Sequence, residues 1–243
     1  MIVDAHGHLD CIPEEKLKEI QDNPKIKIAI SNSTNIESCR KNLEISKKFS
    51  KIKFSAGLYP EEDLNYEKYE EFERFVLKNR NHILAIGEIG IDKTEKLNFE
   101  FQKEIFTKQI QLAKKLNLPI IIHTRKAEKE ALENLEKFPS LKKILHCFTG
   151  NFNLIKKGIE MGCYFSIPTN IVRSEHFQKM AKEIPNEKIL TETDTPYLSP
   201  FKDKKNEPAF ISESIKKLSE ILKINEEKTE KQIEKNFFKV FEF

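Results

Sequence analysis

Eight short apolar runs alternate with charged segments of helical character along the 243-residue chain. In the charged segments Leu, Ile and Phe recur every three or four residues, which is the period of an amphipathic helix. Strands that alternate with helices of about 10–20 residues predict βαβ units and a parallel sheet. The predicted strands are 2–9, 27–31, 53–60, 84–90, 118–124, 142–149, 163–168 and 188–196.

Eight repeats predict an α/β fold of the (β/α)8 TIM-type barrel, which is commonly ~250 residues long as a single domain. No linker or low-complexity stretch divides the chain, so we expect one domain over 1–243. An open doubly wound sheet is the alternative fold. The stretch 209–241 predicts two extra C-terminal helices that break near Ile224–Glu226, and its apolar end is expected to pack on the barrel wall.

The charge balance limits the kind of partner that the chain can bind. There are 42 Lys+Arg against 39 Asp+Glu, and the net charge of +3 comes from two interspersed populations. This excludes a domain that binds nucleic acid through a global basic field, so a polyanion would have to be recognised locally.

The cysteines and the apolar runs bear on the compartment. The four cysteines are scattered without a CxxC motif, which is typical of reduced thiols in a cytoplasmic protein. The N-terminus lacks the pattern of a secretion signal, and no run of 18 apolar residues occurs. We therefore expect a cytoplasmic protein without a membrane span.

Histidines and carboxylates occur where predicted strands end. His6 and His8 form an H-x-H pair, and the two-residue period of a strand sends both imidazoles to one face. Barrel enzymes place their chemistry at the carboxyl ends of the strands. Six candidates share that position: His6, His8, Glu88, His123, His146 and Asp194. The other two histidines, His82 and His176, lie in polar contexts and are assigned to structure or surface.

Each candidate also has a structural explanation, because a lone histidine can be a satisfied core residue and Glu88 can pair with a lysine. Taken together, six N/O ligands without cysteine suit one or two divalent ions. A carboxylate between two histidine groups can bridge metals ~3.5–4 Å apart and activate water for hydrolysis. We assign His6, His8 and Asp194 to one metal and His123 and His146 to the other. Glu88 then bridges, and Asp194 can also take the proton of the attacking water.

Six ordered blocks resemble the TatD family of metal-dependent deoxyribonucleases, within the amidohydrolase-like barrels. They are DAHGHLD (4–10), AIGEIGID (85–92), Phe101-Gln102, LPIIIHTRKA (118–127), ILHCFTG (144–150) and ETDTPYLSP (192–200). The resemblance spans nearly the whole chain. It implies a (β/α)8 barrel, a two-metal site and hydrolysis of DNA phosphodiesters, often as a 3′–5′ exonuclease. It places the ligand roles on the same six residues.

Two blocks depart from the family pattern. The loop after the third strand usually reads G-x-H-P-H, and here it reads Gly57-Leu58-Tyr59-Pro60-Glu61, so both histidines are absent. If one of these histidines orients the substrate or moves a proton in the family, this chain must use Tyr59 or another group, or have a different substrate or a lower activity. The glycine- and arginine-containing loop before N-x-P is also altered, to 202–208, although it stays basic.

Substrate contacts are expected in the loops around the predicted site. Arg125 lies two residues after His123 and can hold a phosphate bidentately, although an ion pair with a neighbouring helix is the alternative. Arg173 lies in a loop on the side of barrels that often binds phosphate. Aromatic rings near the site can stack on the bases of single strands: Tyr59, Phe148 and Tyr197. For Phe148, packing in the core is the default explanation.

We therefore predict a monomeric hydrolase with two divalent ions (Zn, Mg or Mn), acting on single-stranded DNA or 3′ ends. Affinity for DNA is expected to be weak and sensitive to salt. An alternative is the same site cleaving another bond, such as an aminoacyl-tRNA ester or an amide. A third is a metal-binding protein without turnover, although six intact ligands argue against it.

Overall fold

The computed structural model describes residues 1–61 and 63–242, and its centre is a sheet of eight parallel strands. Each strand pairs in parallel with the next one along the chain. The strands are β1 (Ile2–Gly7), β2 (Ile26–Asn32), β3 (Ile52–Ala56), β4 (Ile83–Asp92), β5 (Ile120–Arg125), β6 (Lys143–His146), β7 (Tyr164–Pro168) and β8 (Ile189–Glu192).

Hydrogen bonds between the last and first strands close the sheet into a barrel. The amides of Thr193 and Asp194 donate to the His6 carbonyl at 3.2 and 2.8 Å, and the His8 amide donates to the Thr195 carbonyl at 2.7 Å. Thr191 Oγ1 also donates to the carbonyl of Val3 at 3.0 Å. The predicted (β/α)8 TIM-type barrel is confirmed, and the open doubly wound sheet is excluded.

Helices cover the outside of the barrel. They are α1 (Glu14–Asp22), α2 (Ile36–Lys48), α3 (Tyr66–Lys78), α4 (Phe99–Leu116), α5 (Glu128–Leu135), α6 (Phe152–Glu160), α7 (Glu175–Glu183), α8 (Ile211–Leu222) and α9 (Glu226–Phe241). Asparagine begins five of them, and in each its side chain accepts a hydrogen bond from the backbone amide three residues later. That bond satisfies one of the free amides of the first helical turn. No helix in the described ranges is long and apolar enough to cross a membrane.

The two C-terminal helices form as predicted. α8 ends at Lys223, whose φ of 55° lies in the left-handed region, and Asn225 caps α9. α9 packs against β1 and β8. Phe237, Val240 and Phe241 are buried on that face.

Four strands end earlier than predicted. The sequence predicts strand ends at 9, 60, 149 and 196, whereas the strands stop at Gly7 (β1), Ala56 (β3), His146 (β6) and Glu192 (β8). Cys147 and Asp194 adopt left-handed φ values of 42° and 58°, a conformation that cannot continue a strand. The chain therefore turns out of the sheet directly beside the histidines and carboxylates of the predicted site.

Candidate active site

Glu88 lies at the centre of the cluster, and its two carboxylate oxygens face different histidine pairs. Oε2 is 3.4 Å from His6 Nε2 and 3.5 Å from His8 Nε2. Oε1 is 2.9 Å from His123 Nδ1 and 4.0 Å from His146 Nε2. This arrangement is the one that a carboxylate bridging two cations requires.

Asp194 completes the side of the cluster next to His6 and His8. Its Oδ1 is 3.6 Å from His6 Nε2 and 3.3 Å from His8 Nε2. Two sets of side chains that the sequence assigned to separate metals thus converge, with the ligand atoms of each set within 4.8 Å of one another: His6, His8 and Asp194, and Glu88, His123 and His146.

A close approach of β4 and β5 brings Glu88 to His123. Gly90 pairs with His123 across these strands. A Cβ added at Gly90 would lie 1.9 Å from the His123 carbonyl oxygen, so only glycine fits there. The glycine two residues after Glu88 is thus a packing requirement of this strand pair.

His6 has the state that a metal ligand needs. Its side chain is fully buried, and neither ring nitrogen has a hydrogen-bond partner among residues 1–61 and 63–242. Burial, together with the charge of His146, lowers the pKa of His6 to about 4, so the imidazole is neutral at pH 7. Because buried polar atoms are normally paired, the free Nε2, which lies beside Glu88 and Asp194, fits a bound cation.

The carboxylates of the cluster are ionised. Burial opposes the charge of Glu88, but contacts with His123 and His6 outweigh it and hold the pKa of Glu88 well below its usual range. Burial likewise opposes ionisation of Asp194, and the bond to His8 holds the pKa of Asp194 below normal. At His8 burial disfavours the charged imidazolium, but the contact with Asp194 outweighs burial and raises the pKa of His8 to about 9. A cation bound here would displace that proton.

Further polar groups orient two of the histidines. His146 Nδ1 lies 2.9 Å from Glu192 Oε2, which also accepts from Ser166 Oγ. His8 Nδ1 donates to the carbonyl of Asn32 at 3.1 Å. In both rings Nε2 is left facing Glu88, and such supporting bonds commonly fix the tautomer and orientation of metal-binding histidines.

Sequence reasoning missed two buried carboxylates at the site, Glu192 and Asp92. Glu192 contacts His146, and Asp92 Oδ2 lies 3.5 Å from His123 Nε2. Their signal was present in the sequence, because each lies in a block that also carries a candidate ligand: Asp92 follows Glu88 in AIGEIGID, and Glu192 precedes Asp194 in ETDTP.

The five predicted substrate contacts fall into different environments. Arg125 and Arg173 are exposed, and neither forms an ion pair within the described part of the chain, which removes the helix ion pair considered for Arg125. The side chain of Tyr197 is 59% exposed, with its ring centroid 6.3 Å from that of His8. Tyr59 is partly buried, and its hydroxyl lies 3.4 Å from His123 Nε2.

Phe148 is the exception, and the stacking role considered for it is corrected. It is 1% exposed and packs edge-on against Phe165 at 6.0 Å, so no face of the ring is open to a base. His176 donates from Nε2 to the Phe148 carbonyl at 3.2 Å, whereas His82 is exposed in a short helix before β4. Neither histidine belongs to the two ligand sets.

Known proteins are similar to this chain in sequence and in fold. The family model described as TatD related DNase matches residues 3–242. A protein of Methanocaldococcus jannaschii described as an uncharacterized metal-dependent hydrolase is 33% identical over 243 residues, covering 98% of this chain and 96% of that protein. The human deoxyribonuclease TATDN3 is 36% identical over 167 residues, which are 67% of this chain and 61% of that protein.

The solved structure of YJJV, a TatD homologue from Escherichia coli, has a TM-score of 0.90 at 21% identity. The match covers 100% of this chain and 98% of that one, and at this identity it supports the barrel fold alone. The family match over nearly the whole length, together with the metal-dependent hydrolase relative, establishes the relationship. The chain therefore belongs to the TatD family of metal-dependent hydrolases.

Proposed function

We propose that the chain is a deoxyribonuclease that cleaves DNA phosphodiester bonds at a two-metal site. The observation that carries the proposal is the division of the two Glu88 oxygens between the His6–His8 pair and the His123–His146 pair. His6, His8 and Asp194 would hold one divalent ion, His123 and His146 the other, and Glu88 both. Zn, Mg and Mn are the candidate ions.

When bound, two such ions supply Lewis acidity and a water whose pKa falls toward neutrality. The protein residues then divide the remaining work. Asp194, ionised and next to His8, accepts the proton of the attacking water. Arg125 and Arg173 are free to bind phosphate oxygens, and the exposed ring of Tyr197 stacks on a base.

The proposed substrate is single-stranded DNA or a 3′ end, degraded in the 3′–5′ direction. Only a few loop cations are available for phosphates, and the net charge is +3, so binding should be weak and salt-sensitive. We further propose a monomer. A cytoplasmic location is proposed because all four cysteines are free, as expected in a reducing compartment.

Digestion of an end-labelled oligonucleotide tests the proposal. We expect the metal-stripped protein to be inactive, and nucleotide release to return with Zn, Mg or Mn. His123→Ala and Glu88→Ala should abolish release. His82→Ala, an exposed histidine outside the site, is the matched control and should keep full activity. Stoichiometric metal binding without cleavage under any of these ions would refute the proposed nuclease.

The same preparation tests hydrolysis of a different bond, which the replacement of both family histidines by Tyr59 and Glu61 favours. Phosphodiester, aminoacyl ester and amide substrates should be assayed side by side. Selective phosphodiester cleavage would eliminate the ester and amide alternatives. A preference for one of them would assign the site to that bond instead.

A further inference from the structure

His123 lies between two carboxylates that face its two ring nitrogens. Nδ1 is 2.9 Å from Glu88 Oε1, inside the metal-binding cluster. Nε2, on the far side of the ring, is 3.5 Å from Asp92 Oδ2. The hydroxyl of Tyr59 donates to the same Asp92 oxygen at 2.5 Å, and the Tyr59 ring meets the imidazole edge-on at 4.8 Å between centroids.

Asp92 is held in one orientation. Asp92 is fully buried, and its Oδ1 accepts hydrogen bonds from the amide and the hydroxyl of Thr94 at 2.7 and 2.6 Å. The backbone of Asp92 is fixed as well, because the side chain of Gln102 accepts from its amide at 2.9 Å and donates to its carbonyl at 3.0 Å. Oδ2 therefore stays directed at Tyr59 and His123.

Tyr59 is positioned by α4, the helix that also carries Gln102. The side chain of Gln109 accepts from the Leu58 amide at 2.8 Å and donates to the Leu58 carbonyl at 3.0 Å, and the Tyr59 amide donates to Thr34. Gln102 and Gln109 are buried in α4 and lie two turns apart, on one face of the helix. α4 thus sets the loops after β3 and β4 relative to each other.

We propose that Asp92 and Tyr59 are positioning residues for His123, and that they tune the affinity for the metal that His123 and His146 would hold. Nε2–H of His123 donates to Asp92 Oδ2, so the lone pair of Nδ1 would be available to a cation held beside Glu88. Tyr59 holds the accepting oxygen of Asp92 in place. The tyrosine that replaces a family histidine is thereby assigned to the support of a ligand. The inference rests on the proposed two-metal site.

Calorimetric titration of the metal-stripped protein with Mn²⁺ tests the inference without measuring catalysis. Asp92→Asn should weaken binding of one of the two equivalents, the one that His123 would hold, by about 10–100-fold, which is the usual effect of removing such a supporting group. Tyr59→Phe should weaken the same equivalent by about 2–10-fold, the range of one hydrogen bond. The other equivalent should bind as in the wild type.

The double variant distinguishes positioning from general destabilisation. Because Tyr59 acts through Asp92, Tyr59→Phe should add nothing in an Asp92→Asn background. Tyr66→Phe is the matched control: its hydroxyl also donates to a carboxylate, Glu104 Oε2 at 2.8 Å, but on the exposed surface. It should leave both affinities unchanged.

Each result is decisive. If the wild type binds two equivalents and Tyr59→Phe and Asp92→Asn bind them equally well, the positioning role is refuted and the two-metal site stands. Equal weakening of both equivalents would also refute it. If the wild type itself fails to bind two equivalents, the two-metal site fails first. Should Asp92→Asn not fold, Tyr59→Phe decides alone, since Tyr59 is only partly buried.

Discussion

Replacing His6 by leucine should make the metal-free protein more stable while destroying its response to metal. The side chain is fully buried, and both of its ring nitrogens lack a hydrogen-bond partner in residues 1–61 and 63–242. An unsatisfied buried polar group costs ~1–3 kcal/mol. Because His6 is neutral, with a pKa lowered to about 4 by burial, its removal takes no charge from the cluster at pH 7.

The size of the effect follows from two opposing terms. Leucine has a similar volume and no polar atom, so it removes the cost of the buried, unpaired ring nitrogens. The change of shape beside the stacked His146 ring should destabilise the fold by up to ~1.5 kcal/mol. The net gain in the free energy of unfolding should be about 1 kcal/mol. For a chain of this size that corresponds to a rise in Tm of about 2–4 °C.

Calorimetric melting in chelator and in metal measures both effects. In chelator, His6→Leu should melt above the wild type. With metal at one hundred times its Kd, the wild type should gain ~2.7 kcal/mol, or about 5–11 °C, and the variant much less. The order of the two melting temperatures therefore reverses. A variant that melts below the wild type in chelator, or gains as much from metal, would refute the reasoning.

Three further predictions concern the support of the ligands, the packing of the strands and the substrate. Glu192→Gln should weaken metal binding by about 10–100-fold, because it removes the carboxylate paired with His146 Nδ1; unchanged calorimetric affinity would contradict this. Gly90→Ala should lower the free energy of unfolding in urea by more than about 2 kcal/mol, since its Cβ would lie 1.9 Å from the His123 carbonyl; wild-type stability would argue against it. Arg173→Ala should raise KM for an oligonucleotide with little change in kcat and reduce the salt slope of binding by about one; an unaltered slope would exclude a phosphate contact.

The fold and the six candidate ligands could be predicted from local patterns. Alternating strand and helix periods are set by neighbouring residues, and parallel strands in a barrel must all end at one rim. Placing His6, His123 and Asp194 at strand ends was therefore enough to predict that they converge. The strand ends themselves were predicted less well, because left-handed φ values at Cys147 and Asp194 leave no hydrophobic signal.

The contacts of Phe148 and Asp92 could not be predicted from the sequence. Phe148 sits beside a candidate ligand in the chain, yet its ring turns inward against Phe165, a direction that depends on packing between strands. Asp92 comes next to His123 only because β4 and β5 lie side by side, with Asp92 paired to Arg125. Neither contact involves residues close in sequence.

The sequence by itself determined the barrel, the family blocks and the residue types that can bind metal, because these depend on periodicity and on the chemistry of single side chains. The tertiary structure alone decided how the oxygens of Glu88 divide between two histidine pairs and which carboxylates support the ligands. The physical reason is that hydrogen bonds and ligand sets depend on distances of ångströms between strands far apart in the chain. Tyr59 illustrates both contributions: the sequence revealed that a tyrosine replaces the family histidine, and the structure revealed its hydrogen-bond partner, Asp92.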